Sequence, residues 1–258
     1  MAASPTSDLY DAIAPIYDEW QSWRGMTPFA RVAAERLHAI LDREADAARA
    51  GGDRPALLDV GCGTGTLLTE VRRARPAWRL AGVDASAGML AVARAKLAGA
   101  PDVTLAQAKL GAPLPFPATF GVCTAFYDTL NHLMDAEALA RAFAAAAAVL
   151  RPGGVLVFDV TSRRGFEDWW NTTNQFAGKG WRMLVDASFD PASELATGDV
   201  TFERGGITRR FTIRERYFSR DEIGAALAAA GFRIEQEEAW SPFPVGGLGK
   251  AWWSARLG

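Results

Sequence analysis

Cysteine is nearly absent from these 258 residues; Cys62 and Cys123 are the whole supply. Two cysteines exclude a disulfide framework and a cysteine-rich metal site. Both stand in apolar strand or turn contexts, where small packing residues of a reducing compartment are expected. Neither sign of charge is in excess: 28 Lys and Arg face 30 Asp and Glu, a net charge of −2. With a pI of 5.8 there is no electrostatic reason for a nucleic acid or an anionic membrane as partner. The cluster Arg72, Arg73 and Arg75 reads as a solvated helix end. No stretch is apolar for long enough to span a bilayer. The opening "MAASPTSDLYD" shows neither a basic region followed by an apolar run nor a cleavage site. The expectation is a soluble cytoplasmic protein, and the sequence leaves a homodimer open.

What is present is a globular composition, 49% hydrophobic and 22% charged, sufficient for one large domain or for a domain plus an insertion. Strand-like and helix-like pieces alternate. "ALLDV", "WRLAGVD", "VTLAQA", "GVCTAFY" and "VLVFDV" read as strands, separated by helical stretches such as "SAGMLAVARAKLAG", with Ser86 as N-cap, and "DAEALARAFAAAAAVL", which starts at Asp135 and is stopped by "RPGG". That alternation predicts an α/β fold with a mostly parallel sheet covered by helices on both faces. The pattern is interrupted twice. Residues 1–26 carry Tyr10, Tyr17, Trp20 and Trp23 at helical spacing, ahead of one predicted helix, "PFARVAAERLHAILDREADAARA". Residues 162–218 alternate polar and apolar side chains at strand period and read as an antiparallel insert, with Gly205-Gly206 as a hairpin turn. The core is expected over 27–161 and again over 219–258, where "SRDEIGAALAAAGF" has Ser219 and Glu222 at capping-box spacing and "RIEQEEAW" and "AWWSARL" would close the sheet.

Chemistry concentrates at "LLDVGCGTGTLL", where Gly61, Gly63 and Gly65 follow a strand and precede a helix. Glycine at alternate positions allows positive φ or close approach to the main chain. Alone, the pattern also fits a tight turn that binds nothing. The discriminating residue is Asp84, which ends the next strand roughly twenty residues on, where a carboxylate can accept both hydroxyls of a ribose. The loop lacks the third glycine of the dinucleotide fingerprint and no P-loop lysine follows. An adenosine with a tail other than pyrophosphate is therefore favoured, and a nicotinamide-dependent oxidoreductase is disfavoured.

In this order, "LLDVGCGTG", "AGVDASAGML", "LRPGGVLVFDV" and "FSRDEIGAALAAAGF" resemble the class I S-adenosylmethionine-dependent methyltransferases, over about two-thirds of the chain. "YDAIAPIYDEW" and "YDTLNHL" resemble the small-molecule subset, similar to glycine and amino-sugar N-methyltransferases. The resemblance implies a Rossmann-like seven-stranded sheet with its last strand antiparallel, S-adenosylmethionine as cofactor, S-adenosylhomocysteine as product, and no metal. It implies that Gly61, Gly63 and Gly65 pass beside the methionine and ribose, that Asp59 orients the loop and the amino group, and that Asp84 holds the ribose. Ala85 and Met89 would border the adenine, and Tyr17 matches the family's lid motif. Two positions depart from the pattern: Lys109 replaces an acidic residue that meets the adenine amine, and Gly121 replaces an aspartate. Either backbone groups of Ala108, Lys109 and Leu110 hold the adenine with the Lys109 side chain turned to solvent, which the intact glycine loop and Asp84 favour, or the site has drifted and cofactor affinity or methyl transfer is impaired.

Methyl transfer needs a nucleophile held in line with the sulfonium methyl, and a base if that nucleophile arrives protonated. "FYDTLNHL", leaving the fourth strand where the acceptor should sit, starts with Phe126, expected at the cofactor, and offers Tyr127, Asp128, Asn131 and His132. His132 suits a base near neutrality, or it is a packing histidine; Asp128 could pair with a cationic amine or cap the next turn. Tyr17, Asp128 and His132 are the catalytic candidates, whereas His38 reads as surface or packing. Aromatic residues in the lid and insert (Trp169, Trp170 and Trp181 among them) favour an apolar or aromatic small-molecule acceptor. The expected function is methyl transfer to N or O of a small molecule. The alternative is a protein of this fold that binds S-adenosylmethionine without transferring methyl, cyclase-like, pericyclase-like or non-catalytic.

Overall fold

The structure, a computed structural model, describes residues 6–22, 28–241 and 249–258; Trp23 lies outside them. The chain opens with short helices α1 (Thr6–Ile13) and α2 (Tyr17–Gln21), joined by a 3-10 turn, and continues through α3 (Phe29–Arg36) and α4 (His38–Ala50). Then come β1 (Ala56–Val60), α5 (Thr66–Ala74), β2 (Arg79–Asp84), α6 (Ala87–Lys96), β3 (Val103–Gln107), β4 (Phe120–Ala125), α7 (Ala136–Val149) and β5 (Leu150–Thr161). Helix α8 (Arg163–Trp169) leads into β6 (Thr173–Gly178), β7 (Trp181–Asp190), β8 (Leu195–Arg204) and β9 (Ile207–Arg216). Helix α9 (Arg220–Ala229), β10 (Phe232–Trp240) and β11 (Lys250–Leu257) close the chain.

Seven strands form one sheet in the order β10-β11-β5-β4-β1-β2-β3. All neighbours are parallel except β11, which runs antiparallel to both β5 and β10. Side chains alternate across it: Leu58 and Val60 join the core under α7 and α9, while Leu57 joins that under α3, α4 and α5. The direction of winding reverses between β1 and β4, which opens a crevice beyond their C-terminal ends.

The second sheet, order β6-β7-β8-β9, is wholly antiparallel. Its inner face presents Trp181, Met183, Val200, Phe202 and Phe211, which pack on Leu9, Ile13 and Ile16 of the lid. Gly205 and Gly206, both at positive φ, turn β8 into β9.

Local signals match where caps are concerned: Ser86 and Asp135 each accept a backbone N–H at N3, and Ser219 with Glu222 forms a full capping box. Two expectations are corrected. The single long helix is interrupted at Leu37, where ψ relaxes to −14° although the N–H still reaches Ala33 O at 3.0 Å. The "RPGG" stretch lies inside β5 rather than before it. Pairing slips from Phe120↔Leu150 to Val122↔Val155, and Gly153 at φ +73° absorbs the extra residues.

Candidate active site

The glycine loop is pinned first by its own backbone. The N–H groups of Gly61 and Cys62 both donate to Val83 O, at 2.8 and 2.9 Å, which ties the end of β1 to β2. Gly61 and Gly63 have φ of +72° and +52°. A Cβ on Gly61 would collide with the Thr129 side chain, while one on Gly63 would meet nothing within 4 Å. The close approach at Gly61 is thus made by the protein itself, and Gly63 is the position that opens onto empty space. Gly65 instead packs against Ala93 and Leu97 of α6.

Asp84 completes the loop. One carboxylate oxygen accepts from Gly63 N at 2.8 Å and the other from Ser86 N at 2.9 Å. Burial pushes its pKa up, and those amide donors pull against the rise. A carboxylate has about four acceptor sites, so lone pairs remain for the cavity that Asp84 lines. That cavity encloses about 890 Å³ and is walled also by Tyr17, Gly61, Gly63, Ala85, Met89, Ala108, Lys109, Leu110, Phe126 and His132. Eleven positions inferred from sequence are therefore brought together.

Four others are not there. Gly65 serves helix packing. Asp59 lines a neighbouring cavity of about 1020 Å³, which shares Tyr17, Gly61, Gly63, Phe126 and Tyr127 with the first. Burial raises its carboxyl to about 7, opposed by the Thr124 hydroxyl donating at 2.8 Å. Gly121 sits at the opposite end of β4, beside Glu44 and Arg151, so the missing aspartate there is remote from the crevice. Asp128 lines a third cavity, between lid and insert. Of the three backbone groups expected at an adenine, Ala108 N is already committed to Asp84 O at 3.1 Å. The Lys109 residue is exposed.

The turn after β4 holds Tyr127 and Asp128 in a strained backbone. Tyr127 and Asp128 are consecutive non-glycine residues at φ +59° and +62°, each costing about 1–3 kcal/mol. Buried polar contacts hold them. Asp159 Oδ1 accepts from Tyr127 N at 2.6 Å, and Thr161 Oγ1 donates to Asp128. Lys250 Nζ lies 2.5 Å from Asp128 and 2.7 Å from Asp159. Burial pushes the Asp128 carboxyl up, yet Lys250 and Thr161 outweigh it and hold the group below its ordinary range. Asp159, also buried, stands at about 6 despite Lys250. Asn131 donates to Arg216 O and accepts from Thr161 N, which stitches the turn to both sheets. Asp128 stands at the N-cap of this turn but makes no capping hydrogen bond to it, and its carboxylate pairs with the chain's own Lys250.

His132 ends this turn. Its Nδ1 lies 3.3 Å from Arg214 O, and its Nε2 lies 3.0 Å from the Tyr10 hydroxyl. A carbonyl only accepts, so Nδ1 carries the proton and Nε2 takes the tyrosine O–H. Burial lowers the imidazole pKa and keeps the ring neutral. The Tyr10, Tyr17 and Tyr127 phenols are all raised by burial and stay protonated. Besides the Tyr10–His132 bond, the N-terminal helices are tied down by Gln21, which donates to the Tyr127 hydroxyl at 2.9 Å, and by two aspartates. Asp11 accepts from Ser86 Oγ and from Gly88 N at the start of α6, a favourable place for an anion. Asp18 accepts from Thr64 and pairs with Lys96 at 2.7 Å. His38 is exposed at the start of α4. Sequence reasoning missed Lys250, Asp159, Glu215 and the Tyr10–His132 pair. The one local signal was an aspartate inside the apolar "VLVFDV".

The methyltransferase domain family matches residues 57–154. A malonyl-[acyl-carrier protein] O-methyltransferase of Geobacter sulfurreducens is 30% identical over 211 residues, 81% of this chain and 67% of that one. The chain belongs to the class I S-adenosylmethionine-dependent methyltransferases. Within that family it is 29% identical to a Streptomyces venezuelae dTDP-3-amino-3,4,6-trideoxy-alpha-D-glucopyranose N,N-dimethyltransferase, covering 87% of this chain and 92% of that one. A putative methyltransferase of Geobacillus sp. (strain WCH70) is 34% identical over 149 residues, 57% of this chain; the chain spans about half of that relative, 51%. Among solved structures, SAM-bound CalS10, an amino pentose methyltransferase from Micromonospora echinaspora, superposes with a TM-score of 0.64 at 25% identity, over 94% of this chain and 97% of that one. Among the described residues no helix is long and apolar enough to cross a membrane.

Proposed function

We propose that this methyltransferase transfers a methyl group to the amine nitrogen of a small, partly apolar molecule. The observation that carries the reading is the Tyr10–His132 hydrogen bond of 3.0 Å, placed where the cofactor cavity and the lid–insert cavity share Tyr10 and Tyr127.

The residues fit S-adenosylmethionine. Gly63 leaves the main chain open to the cavity, Asp84 has acceptor capacity for a ribose, and Ala85, Met89 and Leu110 offer an apolar slot for adenine. Asp59, Gly61 and the second cavity would take the methionine end. The faces of Tyr10, Tyr17, Phe126 and Tyr127 suit a cationic sulfonium. When bound, the cofactor supplies an activated methyl on a good leaving group. Phosphate chemistry has no part in it, which accords with a loop built for closeness.

The chain's own residues then manage position and proton. An ammonium ion has no lone pair, so one proton must leave before nitrogen can act. Tyr10 Oη takes that proton while handing its own to His132 Nε2, whose lone pair it already faces. Nδ1 keeps its proton on Arg214 O, so the imidazolium formed stays oriented. Tyr17, edge-on to Tyr10 with ring centroids 6.3 Å apart, closes the site and excludes water. The test is incubation with methyl-labelled S-adenosylmethionine and a panel of amines, phenols and alcohols. Label is expected on amines; label confined to oxygen acceptors would replace this reading with O-methylation.

A further inference from the structure

A buried carboxylate on the insert has no role in the fold. Glu215, in β9, is 5% exposed and faces the same side of the sheet as Phe211 and Ile213. It lines the lid–insert cavity of about 800 Å³ together with Trp20, Trp169, Trp170 and Phe176. Its Oε2 is buried with no hydrogen-bond partner. Its Oε1 lies 4.0 Å from His132 Nε2, beyond hydrogen-bond reach of a ring that is neutral and already bonded to Tyr10. Nearby cations are committed elsewhere: Lys250 to Asp128 and Asp159, and Arg216 to Glu194 and Glu222. A carboxylate removed from water without a partner is costly, and burial accordingly raises its pKa well above the ordinary range. No lysine or arginine lines this cavity among the described residues, and its other ionised group, Asp128, is neutralised internally.

We propose that Glu215 is the counter-ion for the acceptor's ammonium group, and that the aromatic walls around it select an apolar or aromatic amine whose buried part carries no phosphate. The inference rests on the N-methyltransferase reading and names the acceptor's chemistry. The aromatic faces complement a cation, and the orphan oxygen supplies the acceptor that its first N–H needs. An amine seated there lies beside Tyr10, which walls both cavities. Glu215 thus holds the nitrogen, and the Tyr10–His132 pair takes its proton.

The probes are 2-phenylethylamine, its neutral counterpart 2-phenylethanol, and 2-phenylethyl phosphate, each titrated onto the full chain with S-adenosylhomocysteine present, by tryptophan fluorescence and calorimetry. Wild type is expected to bind the amine about tenfold or more tightly than the alcohol, the worth of a hydrogen-bonded charge, and the phosphate most weakly. Glu215→Gln should reduce the amine's advantage to within about twofold, and Glu215→Asp should keep part of it. Without ligand, wild type should lose stability as pH rises through the titration of this raised carboxyl, and Glu215→Gln should remove that loss. An amine no better than the alcohol in wild type, an advantage that survives in Glu215→Gln, or a pH dependence of stability unchanged in that variant would each overturn the proposal. Label transfer separates the two readings. Methyl transfer to an amine with the advantage surviving in Glu215→Gln keeps the reaction and removes Glu215. A lost advantage without transfer to any acceptor keeps Glu215 and removes the reaction.

Discussion

Lys250→Met removes the cation from a buried cluster, and its cost can be worked from the contacts. Lys250 is 2% exposed and its ammonium touches Asp128 and Asp159, themselves buried or nearly so. Deleting one partner of a buried pair leaves an uncompensated charge, at about 3–5 kcal/mol. Here two carboxylates lose the same cation, so the upper part of that range is expected. For a chain of this size each kcal/mol moves the melting temperature by about 2–4 °C, so about 4–5 kcal/mol gives a fall of about 8–20 °C. The pH dependence has a definite sign. Burial raises both carboxyls and Lys250 opposes it. Without the lysine both pKa values rise above their unfolded values, the native state binds more protons than the unfolded one, and stability is regained as pH falls. The assay is urea unfolding of wild type and variant at pH 8, 6.5 and 5. The deficit should shrink toward pH 5, and adding Asp159→Asn should recover part of it at pH 8. A deficit below about 1 kcal/mol, or one that grows on acidification, would refute this account of the turn.

Asp84→Ala should weaken S-adenosylmethionine binding by about 1.5–3 kcal/mol; calorimetry on a folded variant with unchanged affinity would remove Asp84 from the site. His132→Ala and Tyr10→Phe should each lower turnover about a hundredfold with cofactor affinity near wild type, and a loss under about threefold in both would reduce the pair to packing. Asp59 carries its own pH signature. Its carboxyl rises from an ordinary 3.8 to about 7, so native stability is lost as pH climbs through that window. At 1.36 kcal/mol per tenfold the loss is about 4 kcal/mol at most. Asp59→Asn should flatten this part of the urea-derived stability curve, and an unchanged slope between pH 4 and 7 would show that another group carries it.

The grouping of Gly61, Gly63 and Asp84 around one cavity was legible because its constraints are local in sequence. Gly61, Gly63 and Asp84 act through backbone torsions and through hydrogen bonds between β1 and β2, which are neighbours in both chain and sheet. The cluster around Asp128 and the lining of the cavity at Glu215 were not. Lys250 meets Asp128 across 122 residues, and its partner strand is set by the β5–β11 register, Lys250↔Thr161. Glu215 looks like any polar residue of an alternating strand until the sheet is seen to cover the lid with that face. The break at Leu37 and the "RPGG" bulge depend on one torsion and one pairing slip, which propensity does not encode. Even the glycine loop needed the structure to divide its labour, since Gly61 answers to Thr129 and Gly63 to the cavity.

The most direct measurement of the central claim is a crystal structure of the protein with S-adenosylhomocysteine and 2-phenylethylamine bound together. The account predicts the ribose hydroxyls on Asp84, the homocysteine sulfur between the two cavities, and the amine nitrogen within hydrogen-bond reach of Tyr10 Oη and Glu215 Oε2. A ribose away from Asp84, or an amine seated outside the lid–insert cavity with Glu215 still unpartnered, would contradict it.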